Sequence, residues 1–417
     1  MTATTHPGAS PYKALARPGR IGSLALPHRI LMGAMHLAME GEPEFLPRLK
    51  AFYAERARGQ AALIITGCAA VHPAGGGYRT FCLTDPAHRS QLQAIAEAVH
   101  AEGGRIALQL FHAGRYAFSS ETGMPPVAPS AVPCRLTRET PREMSAAEIA
   151  ETVACFAEGA RFARAAGFDA VEVMGSEGYL LNQFLSPVTN QRTDAYGGDL
   201  AGRMRFSLEV VAAIREAVGP DFPLIFRMSG DDCMPGSTAW EETIAFARSL
   251  EAAGVDALNV GIGWHESRVP TVSAVVPRAA FAPVAAGVRA AVRVPVIAAN
   301  RINTPEVAEW VVAQGWADFV APARPWLADP AFAAKALSGD RAGLNVCIAC
   351  NQSCLDHVFA QPPQPASCLV NPRAGQEALW PQAPAVRRRR VAVIGGPGVC
   401  GESTLRRPRR PQRLHRL

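Results

Sequence analysis

No apolar run in this 417-residue chain reaches the roughly 18 residues that cross a bilayer. The N-terminal stretch MTATTHPGASPYKALARPGR also lacks the apolar core of a signal peptide. Neither a membrane role nor secretion is expected, and a cytoplasmic location is predicted. A disulfide framework is missing as well: Cys68, Cys82, Cys134, Cys155 and Cys233 are scattered singly, with no short secreted scaffold around them. Nor is there a basic footprint for nucleic acid. The formal charge is +6, but residues 387–417 carry ten Arg against one acid, Glu402, and this local +9 leaves the rest at −3.

What the chain has instead is a large apolar fraction, 48%, and a regular alternation. Eight β-rich runs recur: ILMGAM (30–35), ALIITGC (62–68), RIALQL (105–110), AVEVMG (170–175), LIFRMS (224–229), ALNVGIG (257–263), PVIAAN (295–300) and FVAPAR (319–324). Segments with apolar residues at helical spacing lie between them, such as RMRFSLEVVAAIREAVG and WEETIAFARSLEAAG. Strands alternating with helices imply a parallel sheet. Three junctions, AAGFDAVEV, AAGVDALNV and AQGWADFV, place a Gly where a helix C-cap needs a left-handed residue. Eight such units favour an α/β fold closed as a TIM (β/α)8 barrel of about 250 residues or more, with an open doubly wound sheet as the alternative.

Chemistry in a barrel of this kind lies at the C-terminal strand ends. Polar residues gather there: His36, Gln109 with His112, Glu172 through Tyr179, Arg227, His265, Asn300-Arg301 and Arg324. Beyond the eighth unit, CIACNQSCLDHVFAQPPQPASC spaces Cys347, Cys350, Cys354 and Cys368 as C-x2-C-x3-C-x13-C. Four thiolates so spaced can close around an iron-sulfur cluster or a structural zinc ion. The domain reading is a barrel over 1–340, a cluster segment over 341–386 and a basic remnant over 387–417.

VEVMGSEGYLLNQFLSPVTNQRTDAYGG, GIGWHESRVPT, NRIN with APARPWLADP, and CIACNQSCLDHVF with SCLVNPRAG resemble the 2,4-dienoyl-CoA reductases. These are iron-sulfur flavoproteins of the Old Yellow Enzyme and trimethylamine dehydrogenase superfamily. The resemblance runs from about residue 12 to about residue 396. It implies FMN in the barrel mouth, bordered by Ala34, Met35, His36 and Gly67, with Gln109 on its pyrimidine edge and Arg227 facing its N1/O2 side. Arg301 and the Ala323-Arg324 backbone would hold its phosphate. It implies a 4Fe-4S cluster on Cys347, Cys350, Cys354 and Cys368. It also implies that Tyr179, assisted by His265, protonates an acyl-CoA-type substrate after hydride transfer, with Glu266, Ser267 and Arg268 beside that substrate.

Two departures from the family pattern accompany the resemblance. Many Old Yellow Enzymes carry two carbonyl-binding donors after the fourth strand, where this chain has Met174 and Glu177; neither Met nor an ionised Glu can donate. Val188 stands where relatives can present an Arg near the acyl-CoA, which leaves Arg192 and Arg268 as candidates for that charge. The FAD- and NADPH-binding domains expected of the full-length family are reduced to RRRRVAVIGG, followed by a formal G-x-G-x-x-G at Gly396, Gly398 and Gly401. No helix pattern or acidic residue follows it. A shifted frame or truncation near residue 396 and a disordered tail from about residue 397 are expected, with electrons coming from a reductase acting in trans. An enone reductase or amine dehydrogenase on the same scaffold, or an inactive barrel, are the competing readings.

Overall fold

The computed structural model describes residues 10–360, 362–381 and 387; the glycine-rich turn at 396–401 and the expected tail lie outside them. Seven parallel strands follow one another in pairing order: β1 (Ile64–Ala70), β2 (Ile106–Phe111), β3 (Ala170–Gly175), β4 (Leu224–Asp231), β5 (Ala257–Ile262), β6 (Val296–Ala298) and β7 (Phe319–Val320). The eighth stave is run 30–35, shorter than a regular strand, which makes two bridges, Ile30 to Val320 and Met32 to Ile64. They suffice to close the sheet, because the Leu31 amide donates to Val320 O at 2.8 Å and the Ile65 amide to Met32 O at 2.9 Å. At Gly33 the chain passes so close to the last stave that a Cβ would lie 2.6 Å from the Ala321 carbonyl oxygen. The result is a TIM barrel, not an open sheet.

Helices α1 (Leu46–Arg58), α2 (Pro86–His100), α3 (Ala146–Ala165), α4 (Leu200–Val218), α5 (Trp240–Ala252), α6 (Ala282–Ala291), α7 (Pro305–Ala313) and α8 (Phe332–Ser338) each follow one stave and form the outer layer. Local sequence sets their ends. Asp85, Ser145, Asp199 and Thr304 accept from first-turn amides of α2, α3, α4 and α7, and Ser145 with Glu148 completes a capping box. The three junction glycines adopt left-handed φ, 87° at Gly167, 96° at Gly254 and 69° at Gly315, as the sequence pattern requires. An antiparallel hairpin, Gly19–Ile21 with Leu24–Leu26, plugs the N-terminal end: Ile21 and Leu26 pack with Ile225, Ala257, Ile297 and Phe319 in the barrel interior. The opposite end stays polar.

The cysteine-bearing segment is stitched to the first barrel unit. Ala366 N donates to Leu37 O at 2.9 Å, and Arg48 Nε donates to Gly375 O at 2.8 Å. Its firmest anchor is an ion pair between Glu377 and Arg56 of α1, both side chains at or below 2% exposure, with the guanidinium stacked 3.6 Å from the Phe52 ring centroid. Because the pair is buried, removing one partner strands a charge. Glu377→Ala is therefore expected to cost about 3–5 kcal/mol in urea unfolding. Glu148→Ala breaks the solvent-exposed pair with Arg142 and is expected to cost about 1 kcal/mol or less through that pair, with its capping bond adding roughly 1 kcal/mol. Equal costs would show that the Arg56 pair is not an anchor.

Candidate active site

Burial organises the floor of the mouth. Glu172 of β3 has no exposed surface, and its two carboxylate oxygens accept from Gln109 Nε2 of β2 and Asn259 Nδ2 of β5, each at 2.7 Å. Burial pushes its carboxyl up, opposed by Arg227 and the two amide bonds. Gln109 thus commits one amide proton inward. Arg227 of β4 pairs with Glu177 at 2.5 Å. Desolvation works against its charge, but Glu177 and then Glu172 outweigh that and raise it above the usual guanidinium value. The same contact overrides burial at Glu177 and holds its carboxyl below the ordinary range. Glu177 sits at φ 61°, a strained conformation for a side chain with a Cβ, where the turn leaves β3.

That turn delivers Tyr179 to the mouth. Its hydroxyl lies 2.8 Å from Nε2 of His265, which follows β5, so residues 86 positions apart meet over the end of β4. Burial, then Glu177 and Cys68, push the phenol well above its ordinary pKa. His265 has surface open to solvent, yet protein atoms crowd its remaining sides; desolvation pushes the imidazole down, partly opposed by Glu177 and Glu266. Phe111 and Tyr116 stand edge-on to Tyr179 at 4.6 and 5.8 Å between centroids.

The other residues expected near substrate are placed differently. Glu266 is enclosed, with 3% of its side chain exposed; it pairs with Arg115 and accepts from Tyr116 Oη at 3.0 Å and Arg135 N at 2.7 Å. Ser267 Oγ donates to Cys233 O at 2.9 Å. Arg192 is a structural strut: 5% exposed, it pairs with Asp194 and donates to the Pro129 and Met144 carbonyls. Of the two candidate cations only Arg268 is exposed at the rim. His112 is also interior: burial, with His72 alongside, lowers it to about 3, and its Nδ1 accepts from Gly114 N.

The first stave ends in Ala34, Met35 and His36, held by a residue that the sequence did not single out. Glu40, fully buried, accepts from Leu37 N at 2.8 Å and Met39 N at 3.0 Å and lies 3.2 Å from His36 Nδ1. Gly67 is required here, because a Cβ would lie 2.5 Å from Met35 O and 2.7 Å from Glu40 Oε1. No motif marks Glu40; its partners are backbone amides of its own turn. At the far side of the mouth, Asn300 and Arg301 are consecutive left-handed residues, φ 60° and 57°, after β6. Arg301 is 8% exposed, donates through Nε to Val276 O, and is lowered first by burial and then by repulsion from Arg324 and Arg278. Among the described residues, Arg301 and Arg324 have no carboxylate within ion-pair distance. Crowded, partly desolvated cations beside the backbone of Ala323 fit the phosphate of a flavin mononucleotide. Arg324 also bonds through its guanidinium to the side-chain oxygen of Asn351.

Asn351 belongs to the cysteine segment. Cys347, Cys350, Cys354 and Cys368 line one pocket together with Arg324 and Ser353. The turn between the first cysteines is tight, with Ala349 at φ 57° and Asn351 at 65°. All four are free thiols. Burial raises Cys354, and raises Cys368 to about 11. No group of three metal-ligating side chains is in holding geometry among the described residues; the four thiols border one pocket and are donors of the soft type that a soft cation takes. No helix among the described residues is long and apolar enough to cross a membrane.

Known proteins resemble this arrangement across nearly the whole chain. Over 387 residues it is 49% identical to a metal reductase of Desulforamulus reducens, covering 93% of this chain and 58% of that protein. A cinnamate reductase of Clostridium sporogenes is 33% identical over 437 residues, 95% of this chain and 63% of the relative. The solved complex of 2-naphthoyl-CoA reductase with 2-naphthoyl-CoA is 33% identical, with a TM-score of 0.84 over 88% of this chain and 58% of that one. The chain thus spans a little under two thirds of the length of these relatives. A model of the NADH:flavin oxidoreductase / NADH oxidase family matches residues 14–342, and with the closed barrel and its cationic mouth this match makes the chain a member of that flavin-dependent family.

Proposed function

We propose that this chain reduces an activated carbon–carbon double bond of an acyl-CoA-type substrate, of the 2,4-dienoyl class, with Tyr179 as proton donor and His265 as its partner. The observation that carries this reading is the 2.8 Å contact between the Tyr179 hydroxyl and His265 Nε2 at the mouth. Relatives named cinnamate reductase and 2-naphthoyl-CoA reductase support a conjugated substrate. When bound, FMN would supply hydride chemistry. The rest falls to the protein. Tyr179 keeps its proton because burial and Glu177 disfavour a phenolate, so an acid is available when the double bond becomes carbanionic. His265 accepts or donates at the phenol oxygen according to its tautomer and fixes the direction of the hydroxyl. The Arg227–Glu177 pair places a cation under the mouth, and exposed Arg268 at the rim suits an anionic carrier group. Met174 is buried beside Ser176 and offers no donor to a carbonyl. Tyr116 and Trp264, at 5% and 4% exposure, are too enclosed to form an open aromatic cage for an amine.

The cysteine pocket is proposed to hold a 4Fe-4S cluster, with Cys347, Cys350, Cys354 and Cys368 as ligands and Arg324 beside them. Electrons are proposed to originate from NADPH through an FAD-binding unit, appended or acting in trans.

Tyr179→Phe is expected to slow substrate reduction by the dithionite-reduced protein by about 10²- to 10⁴-fold while leaving flavin reduction unchanged. An unchanged rate of dienoyl-CoA reduction would remove Tyr179 from the mechanism. Because the phenol's pKa is raised, the acid form persists as pH rises, so the parent rate should show no alkaline limb near the free-phenol value of about 10; a limb there would contradict the assignment. Cys350→Ser, purified anaerobically, should lose iron and broad visible absorbance yet retain flavin. Stoichiometric zinc without iron in the parent would replace the cluster with a structural metal.

A further inference from the structure

Glu266 was expected beside the substrate, yet both of its carboxylate oxygens are engaged by protein groups. One oxygen pairs with Arg115 and accepts from Tyr116 Oη at 3.0 Å, and the other accepts from Arg135 N at 2.7 Å. Arg115 carries the tie further: its guanidinium donates to Pro133 O at 3.1 Å and its backbone amide donates to Gln183 Oε1 at 3.1 Å. Three separate segments therefore converge on one carboxylate: the turn after β2, the loop around residue 133, and the turn after β5 that carries His265.

The tie reaches the reacting pair by a short route. Tyr116 stands edge-on to both Tyr179 and His265, with centroids 5.8 and 5.7 Å away. Gly178, immediately before Tyr179, is pressed against Tyr116: at φ 84°, a Cβ there would lie 2.5 Å from the Tyr116 oxygen and 2.9 Å from the Trp264 ring. The Tyr116 hydroxyl, donated to Glu266, is unavailable as a competing acid. From this geometry we infer that Glu266 is a positioning residue for proton transfer: through Tyr116 it fixes the wall that sets the Tyr179–His265 contact, and through its own backbone it fixes the imidazole. This inference rests on the proposed role of Tyr179.

A double-mutant cycle on holoenzyme separates positioning from general stability. The rate read is that of 2,4-dienoyl-CoA reduction by dithionite-reduced protein, with flavin content and flavin reduction as controls. Glu266→Gln should lower kcat on the order of 10²-fold, as a small misplacement of a catalytic group can, with KM little changed. In a Tyr179→Phe background the same substitution should cost less than about threefold, because contacting residues that act as one unit are not additive. Tyr116→Phe keeps the ring and removes only the hydroxyl; it should repeat the non-additivity and serves if Glu266→Gln does not accumulate as folded protein. Equal fold-losses in both backgrounds, or no kcat loss in either variant, would overturn the positioning role. If Tyr179→Phe alone leaves the parent rate intact, the proton-donor reading fails and takes this inference with it.

Discussion

Closure of the sheet by residues 30–32 is the constraint on which the rest depends. Two bridges, Ile30 to Val320 and Met32 to Ile64, join the last stave to the second. Without them the parallel strands would form an open sheet, and the ends of β1 and β7 would not share a rim with the rest. Closure gathers every C-terminal strand end onto that rim; Tyr179 and His265, far apart in sequence, follow β3 and β5 on either side of β4 and share a hydrogen bond. It also explains why the hairpin at residues 19–26 plugs the other end with apolar side chains: only one end of the barrel is left open for chemistry.

Around that rim the charges are paired by a consistent logic. Buried carboxylates are satisfied where they stand, Glu40 by backbone amides, Glu172 by two side-chain amides and Glu266 by Arg115, Tyr116 and a backbone amide, as a low-dielectric setting demands. The notable exceptions are Arg301 and Arg324, which repel one another without a carboxylate between them. A partly desolvated pair of cations in a barrel mouth is a site awaiting an anion. Arg324 additionally reaches Asn351, so the cationic side of the mouth and the cysteine pocket share a residue.

Much of the frame was legible in the sequence because short-range rules govern it. Runs such as AVEVMG become strands with the same bounds, and Gly167, Gly254 and Gly315 take the left-handed φ that their helix-to-strand junctions imply. The first run, ILMGAM, takes only two bridges rather than a regular strand, yet its backbone bonds to both neighbouring staves. Site geometry was harder to read. Tyr179 and His265 could be named, but the commitment of Glu266 to Arg115 and Tyr116 depends on a turn 150 and 151 residues away in sequence, and no local pattern encodes it. Arg192 misled for the same reason: a charge near a substrate loop looks available until the carbonyls of Pro129 and Met144 are seen to hold it.

The central claim is that a phenol kept neutral by its surroundings passes its proton to the reduced double bond. A solvent isotope effect measured on the two half-reactions separately tests it most directly. In deuterated buffer, parent protein should reduce dienoyl-CoA more slowly than in light water and place solvent deuterium at the protonated carbon, and the effect should collapse or change size in Tyr179→Phe. An effect of the same size in parent and variant would mean that the proton comes from elsewhere and would contradict the account.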